Sequence, residues 1–559
     1  MIARRAPILD RLTTRPSDRG NFWPARVQRL WPLLLPVPTV VLAAWVITAW
    51  KFNGLYGQDP FAYYDYAVGP LRHTLLEGAP LPAMFWPLGY PILVTFSSLV
   101  LGPVTAAGQI VNLLADASAV CLTYLLGRDI LVQAGADPRL ARRAGALGAL
   151  LLGVTGRLLE SSVLIMADSV ALATALLSAW ALVRWSAKPE TGFARKPETG
   201  FARKSETGFA GGEEENRSHP GWLVLSGTAF AWSVVTRWGQ GILVFAWLAW
   251  IVATLHGRWT RHWRSVPYAL VPAAVVLGVQ LLLVFTVRPE ADLGRLPFAG
   301  DLALLNGSGS GWSLLHLFQN SFVSADGVQR YPWSNALFYA TGAFRTEYLT
   351  TLFLPATLLG LVVAALSYRR ALLLLLSWPA LLLLFDAGLD EQNPRFILMA
   401  LPPIATLAGL GLAALWHRLP PRWYPAGAGL VAAGLLVVAL NGLSGVATVN
   451  SYRNGDLQVA SWTAAHAPAR ATVLSFGITL TLQHATHLRV LELSVMSVYD
   501  LKRLIAHRRP FYVLVPITAM NGQFAQRSPG IDYRFLRSGP GAVQVGALHG
   551  YSLLRLESS

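Results

Sequence analysis

Charge is what this sequence has least of. Only 13% of its 559 residues are Asp, Glu, Lys or Arg, about half the share that a soluble domain carries. A chain of this length cannot coat a water-exposed surface with so few charges, which excludes an ordinary soluble enzyme. Cysteine is almost missing: Cys121 stands alone, inside an apolar stretch, so neither an intrachain disulfide framework nor a cysteine metal site is available. The phosphate-cradling signatures G-x-x-x-x-G-K-[ST] and G-x-G-x-x-G are missing too, which argues against an ATP-driven pump and against nucleotide-sugar use. No H-E-x-x-H occurs, and the pair His484 and His487 reads as surface. Gly307-Ser-Gly-Ser-Gly311 lacks a strand-to-helix context and reads as a flexible lid or linker.

What the chain has instead is apolar length. Hydrophobic residues make up 54% of it, with a mean hydropathy of +0.45. A membrane-spanning helix takes about 20 apolar residues. Candidate spans fall near 32–50, 106–127, 144–156, 163–183, 222–235, 241–255, 267–287, 349–366, 371–386, 396–416 and 425–441, with 88–101 as a twelfth or a re-entrant segment. The expected fold is mainly α, a polytopic bundle of about eleven spans. The first apolar run leads into Trp50-Lys51-Phe52 rather than a small-residue cleavage site, so no cleavable signal peptide is expected.

The formal charge of +16 raises nucleic acid as a partner, and position answers it. With the N-terminus inside, the inside segments hold 25 of the 45 Lys and Arg, the outside loops 9 and the C-terminal tail 11. Short basic loops stay cytoplasmic, which predicts N-in and C-out and removes nucleic acid from the partners. The division that follows is a cytoplasmic segment 1–31, a membrane domain 32–444 and an outer domain 445–559. The membrane domain includes a first outside loop at 51–105 and a long outside loop at 288–347. Segment 187–221 contains three near-copies of KPETGFAR and is expected to be a disordered cytoplasmic insertion. In the outer domain, apolar runs Ala471–Phe476, Phe511–Pro516 and Ala542–Ala547 alternate with helix-like Asp456–Ala465 and Val498–His507, the pattern of a small α/β domain.

In this topology the carboxylates gather on the outer side, where ionisable groups near membrane depth are functional candidates. The first outside loop brings Asp59 and Asp65, and the second turn brings Glu160 with Asp168 close behind. Asp386, Asp390 and Glu391 flank the ninth and tenth spans. Arg237, Arg345 and Arg395 lie on the same side. A carboxylate that takes a proton beside arginines that hold phosphate suits group transfer from a phosphorylated lipid. The bland reading of each is a snorkelling group or a helix cap, and Asp59-Pro60 is a natural helix start.

Four pieces, in order, carry a resemblance. They are Asp59 with Tyr63, Tyr64 and Ala67; Trp86-Pro-Leu-Gly-Tyr-Pro91, leading to Gln109-Ile-Val-Asn112 and Tyr124-Leu-Leu-Gly-Arg128; Glu160-Ser-Ser-Val-Leu-Ile-Met-Ala-Asp168; and Asn393-Pro-Arg395-Phe-Ile-Leu-Met-Ala-Leu-Pro402-Pro403. Across residues 32 to 416 the chain resembles the GT-C superfamily of polytopic glycosyltransferases, nearest in look to the protein O-mannosyltransferase and aminoarabinose–lipid A transferase (GT39/GT83-like) group. Two departures stand out. Pro60 takes the place of a second acid after Asp59, and Phe85-Trp86 stand where the group often carries a basic residue.

The resemblance implies transfer of a hexose or pentose from a polyprenyl-phosphate carrier to a protein, lipid or glycan acceptor, outside the plasma membrane and with inversion. Asp59 would be the general base. Asp168, Arg395, Arg237 and Arg345 would hold the donor, with Tyr63, Tyr64, Asp65 and Glu160 around it. A divalent metal, if one is used, would fall to Asp59 and Asp168. Two other classes compete. A secondary transporter or lipid flippase would show two related halves with broken helices near the midplane, and no such repeat is visible. A non-catalytic member would use its outer domain as a binding module.

Overall fold

The computed structural model describes residues 31–81, 86–187, 220–255, 263–286, 312–324, 327–507, 511–539 and 541–556. Most of segment 1–31, the octapeptide repeats and Gly307–Gly311 lie outside the described residues.

With no water to satisfy peptide groups, a chain crossing lipid must be helical. All eleven apolar segments read from the sequence are helical here, and eight helices are long and apolar enough to cross a membrane. In chain order, the helices used below are α1 Val37–Ala49, α2 Gln58–Tyr66, α3 Gly89–Leu101, α4 Ala106–Gln133, α5 Pro138–Gly153, α6 Gly156–Val163 and α7 Asp168–Ser186. They continue with α8 Gly221–Thr236, α9 Val244–Leu255, α10 Pro267–Thr286, α11 Leu354–Ser367, α12 Arg369–Ala387, α13 Leu401–Arg418, α14 Tyr424–His466 and α15 Thr479–Ala485.

Three expected spans take a different form. Segment 144–156 belongs to a bent pair, α5 and α6, that turns by 59° and counts as a ninth span if the two are taken together. Segments 222–235 and 349–366 are the shorter apolar helices α8 and α11, and 88–101 forms α3, also short. The fourth span starts at Asp168 rather than at 163, because residues 164–167 leave the helix.

Helix α13 is the centre of the bundle. Leu401, Ala405, Ala408 and Leu410 are fully buried, and its prolines 402 and 403 sit in the first turn, where a missing N–H costs nothing. Close approach replaces large side chains. A Cβ on Gly148 of α5 would lie 2.9 Å from the Ala405 carbonyl oxygen, and one on Gly409 would collide with the Ala144 carbonyl. Gly360 of α11 and Gly411 repeat the arrangement on another side. Small residues let membrane helices gain van der Waals contact where lipid tails supply no hydrophobic drive. At the periphery α10 does the opposite, with Leu270, Val271, Val275 and Leu282 more than half exposed, a surface suited to lipid.

The chain ends in a five-stranded sheet of order β4-β3-β5-β7-β6. Its strands are β3 Thr472–Ser475, β4 Arg489–Glu492, β5 Phe511–Pro516, β6 Ala542–Leu548 and β7 Tyr551–Leu556; Ser321–Ser324 (β1) and Gly327–Arg330 (β2) form a separate hairpin. The β3 pairings are parallel and the β7 pairings antiparallel. Strand period decides the packing. Tyr512 and Leu514 enter one core while Phe511, Val513 and Val515 enter another on the opposite face, so both faces of β5 are covered. The composition changes near residue 445, yet α14 runs unbroken through it to His466.

The sheet domain is docked onto α2. Leu480 of α15 joins Leu55, Phe61, Tyr63, Tyr64 and Tyr90 in one apolar cluster. His484 packs its ring 4.8 Å from Phe61 and places Nε2 2.8 Å from Asp65 Oδ1. The histidine read from sequence as surface is therefore an interdomain contact.

Candidate active site

Four helix ends meet at one point, and each end has a local cause. Gly57 adopts φ +76°, open to glycine, and turns the chain into α2. Asp59 then falls in the first helical turn, with Gly57 rather than Asp59 at the cap position. Asp168 opens α7. Arg237 closes α8 with extended backbone. Asn393 accepts a hydrogen bond from the Arg395 N–H at 3.1 Å and starts the tight helical turn Pro394–Ala400 that precedes α13.

The charges interlock. Arg395 Nη1 donates to Asp59 Oδ2 at 2.8 Å, and its Nε donates to Asp168 Oδ2 at 3.1 Å. Arg237 donates to Asp168 Oδ1 and lies with its Cζ 4.5 Å above the Phe396 ring. Asp168 is almost fully buried, whereas the Asp59 side chain is 23% exposed. Two carboxylates and two guanidiniums form one neutral group with a single partly open acid. Forked guanidiniums are well matched to carboxylate and to phosphate.

Tyr63 stands behind this group, edge-on to Tyr90 at 5.3 Å and tilted against Trp86 at 6.3 Å. Burial, then the Asp59 charge, pushes its phenol well above the ordinary tyrosine value. Not every residue read from the sequence joins the group. Tyr64 donates its hydroxyl to the Pro103 carbonyl at 2.8 Å, and Asp65 faces His484. Arg345 lies with its Cζ 3.9 Å over the Phe338 ring, away from Asp168. Glu160 is one step removed, held at 2.7 Å by Arg157, which also reaches Glu347 at 3.0 Å. Arg157, Glu160, Asp168 and Arg395 together line one small pocket.

Sequence reading passed over two supports. Arg157 is one. The other is Asp116 of α4, whose Oδ2 accepts from Ser161 at 3.2 Å, Ser162 at 2.8 Å and Ser169 at 2.9 Å. Those serines lie on both sides of the helix break at 164–167, and Asn112 of the same α4 face donates to the carbonyls of Ser161 and Leu164. One face of α4 therefore fixes the turn that aims Asp168. The serines beside the two acids, in Glu160-Ser-Ser and Asp168-Ser169, were the available signal.

A divalent ion does not fit between Asp59 and Asp168. The Arg395 guanidinium lies there and satisfies one oxygen of each carboxylate. Among the described residues no three His, Cys, Asp or Glu side chains converge as a metal-binding set.

No protein-family model and no curated protein matches the chain by sequence. Solved structures do match in fold. The crystal structure of ArnT from Cupriavidus metallidurans bound to undecaprenyl phosphate superposes with a TM-score of 0.57 at 14% identity, over 95% of this chain and 98% of that one. The Archaeoglobus fulgidus oligosaccharyltransferase in its apo form gives 0.52 at 12% identity, over 94% of this chain and 75% of the other. The same archaeal enzyme, AglB, in complex with an inhibitory peptide and a dolichol-phosphate gives 0.50 at 11% identity over 95% and 75%. The chain thus has the GT-C fold.

Proposed function

We propose that the protein is a membrane glycosyltransferase that moves a sugar from a polyprenyl-phosphate carrier to an acceptor hydroxyl on the outer face of the plasma membrane. The observation that carries this reading is the Asp59–Arg395–Asp168–Arg237 group at the mouth of a GT-C bundle. ArnT, with the same fold, holds undecaprenyl phosphate, and AglB has been seen with a dolichol-phosphate. A donor whose tail dissolves in lipid also explains an enzyme built mostly of spans.

The acceptor oxygen attacks the anomeric carbon as the bond from that carbon to the phosphate oxygen breaks. The bonding pair leaves with polyprenyl phosphate, a monoester dianion that needs no proton. The acceptor proton passes to the Asp59 carboxylate, the partly open acid of the group. Attack from the face opposite the phosphate inverts the anomeric centre. Charge grows on the phosphate as the bond breaks, so cations held ready for it lower the barrier. Arg395 turns from Asp59 to the phosphate, frees the base, and remains tied to Asp168; Arg237 supports Asp168 from the other side. Asp168 thereby orients the cation.

The test uses membranes and purified full-length protein with a set of labelled undecaprenyl-phosphate sugars. Asp59→Asn should lower transfer by about 10²–10⁴-fold, the usual worth of a general base, and leave undecaprenyl phosphate binding intact. Near-normal turnover by that variant would remove Asp59 as the base. Failure of the wild-type protein to transfer from any of the lipid donors would remove the reading itself.

A further inference from the structure

Helix α2 is engaged on two opposite faces. Asp59 and Tyr63, four residues apart, meet Arg395 and Tyr90 of the bundle. Phe61 and Asp65, also four apart, meet the ring and the Nε2 of His484. Residues at that spacing share one side of a helix. Helix α15 answers with the same spacing. Leu480 and His484 meet α2, whereas Ile478 and Leu482 enter one core of the sheet domain with Tyr512 and Leu514. Gly57 and Gln58, at the start of α2, share a pocket lining with Gly477 and Ile478 at the start of α15. The two short helices therefore lie side by side, start to start, between the bundle and the sheet.

Two carboxylate contacts thus hold α2 from opposite sides, with Tyr64 adding a neutral bond to the Pro103 carbonyl. The inner contact, Arg395 to Asp59, is given up in the transfer scheme when Arg395 turns to the phosphate. The outer one is not. His484 Nε2 lies 2.8 Å from Asp65 Oδ1 and 2.9 Å from Oδ2, so one ring nitrogen sits between both oxygens. The same ring packs against Phe61 at 4.8 Å. Contacts on two residues one turn apart fix how a helix is rotated about its own axis, which one contact alone does not.

We propose that His484 is a positioning residue of the transferase. Through Asp65 and Phe61 it sets the rotation of α2, and so holds the Asp59 carboxylate in place once Arg395 has left it. This rests on the transferase reading above. A reacting group misplaced by about 1 Å costs on the order of 10²-fold in rate. The demand arises only after the donor has drawn Arg395 away, so it falls on the chemical step rather than on donor binding. It also gives the sheet domain a task. Ile478 and Leu482 make α15 part of the sheet core, and that core becomes the outer support of the helix that carries the base.

The test uses the full-length protein in lipid nanodiscs. His484→Ala should lower kcat by about tenfold or more, with the donor KM and the affinity for undecaprenyl phosphate unchanged. Asp65→Ala should match it, and the double variant should be no slower than either, the signature of two residues acting as a pair. His484→Gln keeps an N–H donor at a similar reach and should keep most of the kcat. The pair is partly exposed and adds little to stability, so the unfolding midpoint should stay near that of the wild type, and kcat is read well below it. Hydrogen exchange of residues 57–66 should rise several-fold in His484→Ala while that of α13 is unchanged. Wild-type kcat in the alanine variants, equal loss by alanine and glutamine, additive loss in the double variant, a raised donor KM in place of a lowered kcat, or unchanged exchange in α2 would each overturn the assignment. If the wild-type protein transfers no sugar, the transferase reading fails, while hydrogen exchange still decides whether His484 holds α2.

Discussion

Asp59 and Arg395 are 336 positions apart in the chain and 2.8 Å apart in space. The contact closes α2 onto the entrance of α13. It also means that the base and the phosphate-holding cation proposed above are partners before any donor arrives.

Replacing Arg395 therefore acts on two properties. In Arg395→Lys a compact ammonium cannot span both carboxylates with a planar fork, so affinity for undecaprenyl phosphate should fall by about tenfold. In Arg395→Ala the buried Asp168 keeps only Arg237. Leaving a buried charge short of its partner costs about 3–5 kcal/mol, visible as a lowered midpoint in detergent unfolding. Undiminished lipid binding by the alanine variant would show that the phosphate sits elsewhere.

Asp116 touches no substrate in this scheme, but it holds the turn that aims Asp168. Asp116→Leu removes the shared acceptor of three buried serine hydroxyls, each of which keeps a backbone carbonyl as a second acceptor, so the loss is about 0.5–1.5 kcal/mol per hydrogen bond removed. Asp116→Asn keeps one carbonyl acceptor and should be milder. The expected signature is a lower kcat for the leucine variant at temperatures where its helicity by circular dichroism is normal. Wild-type kcat in both variants would break the link between Asp116 and Asp168.

The glycines of the central helix leave no room for a side chain. Gly409→Val should force α13 away from the Ala144 carbonyl of α5 and cost about 1–3 kcal/mol as overpacking. By contrast Gly429, near the start of α14, has nothing within 4 Å of a built Cβ, and Gly429→Ala should leave thermal stability unchanged or slightly higher. Equal destabilisation by the two would show that α13 packs otherwise.

Alkaline pH should loosen the segment from Tyr56 through α2. Burial raises the phenols of Tyr63, Tyr64 and Tyr66 and pushes Tyr56 up to about 12. A group whose folded value is raised stabilises the fold fully below its unfolded value, near 10, and loses that contribution as pH climbs through the folded value. Stability should then hold to about pH 10 and fall between 10 and 12, followed by tyrosinate absorbance at 295 nm. Tyr56→Phe should flatten part of that fall. Free titration of all the phenols near pH 10 would count against this packing.

Hydropathy located every apolar helix among the described residues because lipid allows so few alternatives. It ran one helix too far at 144–156, where Val154 and Thr155 break the run, and began another too early at 163–183, where the turn before Asp168 is held by tertiary hydrogen bonds to Asn112 and Asp116. No local pattern encodes such a break. Asp59, Asp168, Arg237 and Arg395 could be nominated because charge near membrane depth is costly. Arg345 was nominated on the same ground, and the Phe338 ring beneath it, seven residues back, could not be read as its destination. Strands β4 and β7 escaped notice because Arg489 and Arg555 interrupt their alternation.

Helix α14 has 43 residues, about 64 Å at 1.5 Å per residue, roughly twice the hydrocarbon thickness of a bilayer. Near its far end Arg453 Nε donates to Asn53 Oδ1 at 3.1 Å, and Asp456 shares a pocket lining with Gly57 and Gln58. The distance of the sheet domain from the start of α14 is consequently a residue count along a stiff rod. One inserted residue would lift that domain by about 1.5 Å and swing it by about 100°, a displacement no hinge is there to absorb. The seat of the sheet domain on α2 is written in the register of a single helix.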